Sequence, residues 1–192
     1  MADLTIYDDA DLDPPIAGWL PSVARVASNL RQIFSLFLPL WSAFFVHSCA
    51  VLLGEVSVLF LGPNGGGKST VARLADGLSV LDDDHILVKR EDRGFVAYST
   101  PLGAGVRSPM AGRIGAMFLL EKGSSFSLAP VSPADVLQLV WHDNASTTML
   151  LPRALKSAVF GLFLDLCYGV PLRRMTFMPH SIHWDQIRSV VA

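Results

Sequence analysis

Hydrophobic residues between positions 23 and 38 recur at the spacing of one side of a helix. The polar residues of the same segment fall on the opposite side and comprise Arg25, Asn29, Arg31 and Gln32. An apolar stripe opposite a polar one is typical of an amphipathic helix that lies on a domain. We therefore predict a helix from about Ser22 to Pro39, packed through its apolar side. The residues of that side are Val23, Val26, Ala27, Leu30, Ile33, Phe34, Phe37 and Leu38.

The uncharged stretch 33–53 invites a second interpretation, because it is long enough to span a bilayer core of roughly 30 Å and has no Asp, Glu, Lys or Arg. A membrane span would be apolar on every side, whereas the helix pattern that enters this stretch is polar on one side. We therefore expect an amphipathic helix followed by a strand, and no membrane partner.

Apolar runs after position 43 predict β-strands. In the first half of the chain, these are residues 44–53, 56–61, 78–81, 85–90 and 95–100. The first two strands and the last two are predicted to form hairpins, because turn residues such as Gly54 separate them. A helix is predicted between them, from Lys68 to about Asp76.

The second half of the chain predicts further strands at 114–122 and 171–178, separated by two helices. Ser132, with Asp135 three residues later and Pro133 between them, resembles a capping box that opens a helix to about Trp141. The next helix has its apolar residues at Leu151, Leu155, Ala158, Val159, Leu162 and Leu166. Gly169 and Pro171 terminate that helix, and a short helix closes the chain.

Mixed strands and helices, several of them in hairpins, predict an α/β fold whose sheet is mixed rather than all parallel. The 192 residues suffice for one domain with a core. We predict a loose lead-in at 1–20, a single domain at 21–192, and a mobile loop at 100–113, which is rich in Pro and Gly.

Composition narrows the function classes. Hydrophobic residues make up 51% of the chain and charged residues 17%, which indicates a globular protein rather than a disordered one. The net charge of −2 gives no reason to expect a nucleic-acid partner. The acidic N-terminus is unlike a signal peptide. Cys49 and Cys167 lie in apolar runs, as expected of buried thiols in a reducing cytoplasm. The sequence does not decide whether the protein forms a homo-oligomer.

The segment from Gly62 to Ser69, GPNGGGKS, satisfies the pattern G-x-x-x-x-G-K-[ST] between a predicted strand and a predicted helix. In such a P-loop, backbone N–H groups turn toward phosphate oxygens, and the helix N-terminus adds about half a positive charge. The lysine reaches the outer phosphates, and the Ser hydroxyl is a ligand for Mg²⁺. We therefore predict a purine nucleotide site for ATP and Mg²⁺. Its residues are Gly62, Pro63, Asn64, Gly65, Gly66, Gly67, Lys68, Ser69 and Thr70.

Three consecutive aspartates, Asp82, Asp83 and Asp84, follow the short strand at 78–81. A magnesium ion at a P-loop needs a carboxylate, usually at the end of a neighbouring strand. Three like charges repel one another unless a cation compensates them, and Lys68 with Mg²⁺ would do so. These aspartates are therefore predicted to serve the nucleotide site rather than to form a solvated acidic turn.

The order of these features resembles the HPr kinase/phosphorylase family and its relative, phosphoenolpyruvate carboxykinase. In that group a strand beginning with His precedes a hairpin turn, the loop strand, the P-loop, a short helix and an Asp-Asp pair. The stretch from His47 to about Pro101 has this order, and YSTPLGAG resembles the family's GTPxxG element. The resemblance implies a kinase-like fold and identifies the pair as Asp83 and Asp84.

The resemblance also implies roles for individual residues in phosphoryl transfer from ATP to a hydroxyl. Lys68 would bind the β- and γ-phosphates, and Ser69 and Asp84 would hold Mg²⁺. Asp83 would orient or deprotonate the acceptor, while Asp82 lies outside the pair. The family's Glu-Ile-Arg-Gly-Leu-Gly signature is absent. The expected acceptor is therefore a hydroxyl of some peptide, protein or small molecule rather than the carrier protein HPr.

Other P-loop proteins share parts of this pattern. Transport ATPases have a similar loop, but their LSGGQ-type signature is absent and the aspartates follow the loop too closely. GKSTVARLA also resembles adenylylsulfate kinase, whose Asp-Gly-Asp is absent. A nucleotide or sulfonucleotide kinase and a non-catalytic ATP-binding accessory protein remain the alternatives.

Weaker candidates complete the set. His47 matches the family's position, although a lone His in a strand is more often a core residue. Arg107 and Arg113, in the predicted loop, are candidates for clamping the transferred phosphate. His180 and His183 have a spacing that suggests a metal site, but no third ligand is evident nearby.

Overall fold

The computed structural model describes residues 23–102, 110–143 and 151–191. Its α-helices are α1 (Val23–Phe37), α2 (Lys68–Leu74), α3 (Pro133–Asp143), α4 (Arg153–Gly169) and α5 (Trp184–Val191). Its strands are β1 (Ala43–Leu53), β2 (Val56–Leu61), β3 (Ser79–Asp82), β4 (His85–Glu91), β5 (Gly94–Tyr98), β6 (Ala111–Lys122), β7 (Ser127–Pro130) and β8 (Leu172–Phe177). The predicted lead-in at 1–20 lies outside the described residues.

The eight strands form one mixed sheet. β1 is antiparallel to β2, β3 and β4, and β5 is antiparallel to both β4 and β6. β6 runs parallel to β2 and to β8, and β7 is antiparallel to β8. Both predicted hairpins are present, and the prediction of an α/β fold with a mixed sheet is confirmed.

Helices cover the sheet on two faces. β2 shows the alternation clearly, because Leu59 and Leu61 face one core cluster while Val58 and Phe60 face the other. The first cluster includes buried residues of α3 and α4, and the second includes buried residues of α2 and α5. Burial of apolar side chains on both sides explains the nearly continuous hydrophobic sequence of β2.

Two local predictions about the later helices have different outcomes. The Ser132 hydroxyl accepts a hydrogen bond from the Asp135 N–H at 3.2 Å, so the predicted cap of α3 is confirmed. In α4, Ala158 is exposed rather than buried, while Phe163 and Cys167 are buried. The predicted stripe of α4 is confirmed apart from Ala158, because Leu151, Val159 and Leu166 are buried, and Leu155 and Leu162 pack against the same core cluster.

The predicted loop at 100–113 is wrong at its C-terminal end, where β6 begins at Ala111. Its residues 103–109, with Arg107, lie outside the described residues. Gly112 was expected to interrupt a strand, but it lies within β6. A larger residue would not fit at this position, because its Cβ would lie 2.4 Å from Leu52 Cδ2. The glycine permits a close approach of two strands instead of a turn. β7 was not predicted, since SLAP has little strand character.

The amphipathic helix is present as α1, but it lies with its apolar side outward. Ser35, on the polar side, is 7% exposed, whereas Ile33 and Phe37 are 52% and 49% exposed. The Arg31 guanidinium donates a hydrogen bond to the Leu102 carbonyl at 2.7 Å. The predicted packing through the apolar side is therefore wrong. The C-terminal half of the polar side, with Arg31, Gln32 and Ser35, faces the domain, while Arg25 and Asn29 are exposed.

The uncharged stretch 33–53 does not form one helix. α1 ends at Phe37, and a 3-10 helix follows at Leu38–Trp41. Ser42, in the left-handed region at φ 54°, then turns the chain into β1. Among the residues that the structure describes, no helix combines the length and apolar character needed to cross a membrane.

Candidate functional site

The register of β1 brings the glycine loop and the aspartates together. Leu61, the last residue of β2, lies opposite Ser48 on one edge of β1. On the other edge the Ser48 N–H donates a hydrogen bond to the Asp84 carbonyl at 3.0 Å. The loop that follows β2 and the turn that joins β3 to β4 therefore both lie beside Ser48 of β1.

Backbone carbonyls of the loop hold the Lys68 side chain in place. The ammonium Nζ donates to the Gly62 carbonyl at 2.6 Å and lies 3.3 Å from the Pro63 carbonyl. The side chain is only 6% exposed, so these contacts compensate for part of the loss of hydration. The Gly66 N–H closes the loop by donating to the Pro63 carbonyl at 2.8 Å.

Two of the loop glycines have backbone angles that other residues rarely adopt. Gly65 has φ 74° and Gly67 has φ 113°. At Gly67 a side chain would also place its Cβ 2.6 Å from Cζ of Phe177, at the end of β8. The loop therefore depends on glycine at this position for its backbone angle and for its packing.

A pocket of about 410 Å³ opens between the loop and the aspartates. Its lining consists of His47, Asn64, Gly65, Gly67, Lys68, Ser69, Thr70, Asp83 and Asp84. Gly62, Pro63 and Gly66 shape the loop behind it, through the hydrogen bonds to Lys68 and to one another. Every residue of the predicted site therefore lies in the loop or on this pocket.

Asp82 differs from its two neighbours, because its side chain is 7% exposed and does not line the pocket. Its Oδ1 accepts hydrogen bonds from the Asp83 N–H at 2.7 Å and from the Asp84 N–H at 3.1 Å. Burial raises the pKa of Asp82, although these two hydrogen bonds act in the opposite direction. Asp82 shapes the turn that presents the other two carboxylates.

Asp84 lies between two histidines. Its Oδ2 is 2.9 Å from Nδ1 of His85, and its Oδ1 is 3.4 Å from Nε2 of His47. The two imidazole rings stack with their centroids 5.2 Å apart. The close approach of the His85 imidazole is the main cause that lowers the pKa of Asp84, against the effect of its partial burial, and His47 and Arg31 add to it. This carboxylate is therefore ionised at neutral pH.

We expect Asp82→Ala to lower the free energy of unfolding by about 1–3 kcal/mol, because two backbone N–H groups lose their acceptor. Asp82→Asn should keep the stability near or above that of the parent at pH 7. Its amide oxygen still accepts the hydrogen bonds, and the buried charge is removed. Urea denaturation of both variants measures this difference.

The pH dependence provides a control for the Asp82 variants. Because the pKa of Asp82 is raised in the fold, the folded state binds its proton more tightly than the unfolded state does. The parent should therefore lose stability as pH rises from the unfolded pKa, near 3.8, through the folded pKa. Asp82→Asn should lack this component. An alanine variant as stable as the parent would contradict the role of Asp82 in the turn.

Arg113, predicted as a candidate phosphate clamp, does not lie near this pocket. It lies beside Val56 at the start of β2, whereas the loop follows Leu61 at the other end of that strand. Five residues of strand separate the two ends by roughly 17 Å. Arg113 lines a different pocket, at the β4–β5 hairpin. The clamp hypothesis for Arg113 is therefore wrong.

His183, considered as a metal ligand, stacks on Phe126 with the ring centroids 4.6 Å apart. It directly precedes α5, and its carbonyl accepts hydrogen bonds from the N–H groups of Gln186 and Ile187 in the first turn of that helix at 3.1 and 3.3 Å. His183 therefore has a packing role in this structure.

The sequence pattern missed two residues that act on the site. His85 follows the aspartates directly and is the register partner of His47, so the pairing of two strands brings it to Asp84. Arg31 contributes its charge from α1, more than 50 residues before the carboxylate it stabilises. Adjacency to the aspartates was a signal for His85, whereas no local signal points to Arg31.

The oxygen donors of the pocket are suited to Mg²⁺, and they are too few for a metal ion whose ligands all come from protein side chains. Ser69 offers a hydroxyl and Asp84 an ionised carboxylate on the same pocket. Within the described parts of the chain, no group of three or more His, Cys, Asp or Glu side chains could hold a metal ion. Mg²⁺ at nucleotide sites commonly takes one or two carboxylates and completes its shell with phosphates and water.

The chain was compared with models of known protein families and with curated proteins, and neither comparison found a match.

Proposed function

We propose that this protein binds ATP with Mg²⁺ and transfers the γ-phosphoryl group to a hydroxyl of a peptide, a protein or a small molecule. One observation carries the proposal: Lys68 and Ser69 of the glycine loop line the same pocket as Asp83 and Asp84. A cation, a hydroxyl and two carboxylates around one pocket are the groups that phosphoryl transfer from a nucleotide uses. The resemblance to HPr kinase and phosphoenolpyruvate carboxykinase supports the same assignment.

The loop is proposed to bind the phosphates. Backbone N–H groups of successive glycine residues form a concave surface that favours anions. The Lys68 ammonium, which contacts the loop carbonyls in this structure, is proposed to bind the β- and γ-phosphate oxygens as a point charge. Ser69 and Asp84 are proposed to hold Mg²⁺, which neutralises charge on the phosphate oxygens when it is bound.

Asp83 is proposed to act on the acceptor. It lines the pocket beside Asp84, and its backbone N–H is held by Asp82. A carboxylate in this position can orient the hydroxyl and accept its proton as the phosphoryl group is transferred. His47, on the same pocket, holds Asp84 rather than the acceptor.

A cytoplasmic location fits this proposal, because that compartment supplies ATP. Cys49 and Cys167 are both buried and are not joined in a disulfide, as expected of cysteines in a reducing environment. Their burial favours a structural role, and it raises the pKa of Cys167 to about 12, which makes that thiol a poor nucleophile at neutral pH.

ATP with Mg²⁺ at about 100 times its dissociation constant should stabilise the fold by roughly 2.7 kcal/mol. For a chain of this size we expect the melting temperature to rise by about 5–10 °C. Differential scanning fluorimetry with ATP, GTP and no nucleotide measures the shift. The absence of a shift with any purine nucleotide would contradict the proposed site.

Two lysine variants test whether the shift comes from the loop. Lys68→Met should abolish most of it, while Lys122→Met, which removes the same charge at an exposed position of β6, should keep it. Transfer of labelled phosphate to candidate peptides and hydroxylated metabolites then tests the chemistry. ATP binding without transfer or ATP loss would favour an accessory protein over an enzyme.

A further inference from the structure

An apolar face runs along α1 and the 3-10 helix that follows it. Its eight residues are Val26, Leu30, Ile33, Phe34, Leu36, Phe37, Leu40 and Trp41. Their exposed fractions range from 37% to 69%, so the described part of the chain leaves the face open to solvent. Contiguous apolar surface of this kind marks an interaction site more often than a free surface.

We propose that this apolar face binds the same face of a second copy of the chain, with the two α1 helices antiparallel about a two-fold axis near Ile33. Side chains of this size carry on the order of 200 Å² each, of which about half is exposed, so the face offers roughly 800 Å². That is about the area that one partner contributes to a standard protein interface.

The spacing of the apolar residues favours a helix as the partner. Val26, Leu30, Ile33 and Phe37 follow one another at intervals of four, three and four residues. A repeat of about 3.5 residues is the seam along which two helices pack side by side. Symmetric dimers are the commonest oligomers, and a two-fold axis lets one surface serve both partners.

Charges favour the antiparallel orientation. Arg25 lies in the first turns of α1, and no acidic residue lies within the helix. In an antiparallel pair, Arg25 of one copy lies near the C-terminal end of the other helix, where the helix dipole is negative. A parallel pair would bring the positive N-terminal ends of both helix dipoles to the same end of the dimer, which is unfavourable.

A lipid surface fits the same face less well. Helices that lie in a membrane interface carry many Lys and Arg on their polar side. α1 contains only Arg25 and Arg31, and Arg31 is bound to the Leu102 carbonyl. The net charge of the whole chain is −2, so anionic lipids offer it no overall attraction.

Sedimentation velocity of the full chain tests the dimer. We expect the parent to be a dimer that dissociates on dilution. Ile33→Glu should be a monomer, because the dimer would bury its charge. The variant should still fold, because Ile33 is exposed and lies outside the core. Tyr168→Glu places the same charge at a side chain that is 74% exposed outside the face, and it should remain dimeric. A parent protein that stays monomeric at every concentration would overturn the proposal. So would a monomer that floats with anionic phosphatidylserine vesicles.

Cysteine cross-linking tests the orientation, and Cys49 and Cys167 do not interfere because both are buried. Ile33→Cys lies next to its own copy at the proposed axis and should form a disulfide-linked dimer under mild oxidation. Val26→Cys lies seven residues away, which separates the two copies by about 20 Å in an antiparallel pair. A disulfide cannot bridge that distance. Efficient cross-linking of Val26→Cys, or none of Ile33→Cys, would overturn the arrangement.

Discussion

Asp83→Asn is expected to lower phosphoryl transfer by about 10²–10⁴-fold, which is the usual contribution of a positioned general base. The amide keeps the size of the side chain but cannot accept the acceptor's proton. ATP binding should be nearly unchanged, because the loop and Asp84 are intact. Initial rates of labelled-phosphate transfer, with the dissociation constant for ATP from calorimetry, measure the two quantities separately.

Asp92→Asn is the matched control for this prediction. Asp92 lies exposed in the turn between β4 and β5, at the far end of β4 from the pocket. The same chemical change there should leave transfer and binding unaltered. Equal activities of Asp83→Asn and the parent would exclude Asp83 as the base.

Asp84→Asn should give the complementary result if this carboxylate holds the metal. A neutral amide is a poorer ligand for a hard cation, so ATP binding should depend less on Mg²⁺. The His85 imidazole would also lose its carboxylate partner. If Asp82→Asn impaired Mg²⁺-dependent binding and Asp84→Asn did not, the assignment of the Asp83-Asp84 pair would be wrong.

Gly67→Ala is expected to lower the free energy of unfolding by about 2–4 kcal/mol, as the sum of backbone strain and overpacking. The backbone at φ 113° disfavours any side chain, and the new Cβ would lie 2.6 Å from the Phe177 ring. Either the loop or the end of β8 must move, so nucleotide binding should weaken as well. Urea denaturation and ATP titration measure both effects.

Gly161→Ala serves as the control for the glycine substitution. It lies inside α4, and a Cβ there meets nothing within 4 Å. Alanine is favoured over glycine in a helix interior by roughly 1 kcal/mol, so this variant should be as stable as the parent or more stable. A Gly67→Ala variant with unchanged stability would show that the loop and β8 adapt to the methyl group without cost.

Local patterns along the chain were sufficient to predict most of the elements. The strands β1 and β2, the loop Gly62–Ser69 and the cap at Ser132 follow from short-range sterics and hydrogen bonding, which neighbouring residues largely determine. The mixed sheet also followed, because tight turns between apolar runs require antiparallel pairs. The candidate pocket residues were found for the same reason, since they lie in one short loop and one turn.

Only the tertiary structure decided which distant residues meet. The register of β1 brings His85 beside His47 and places Asp84 near the loop, while it leaves Arg113 at the other end of the sheet. Periodicity identified the two sides of α1 but could not show which side faces the domain. The Arg31 side chain donates a hydrogen bond to the Leu102 carbonyl and Ser35 is buried, so this part of the polar side faces the domain. Such contacts depend on strand register and packing between residues far apart in the chain, and no local pattern encodes them.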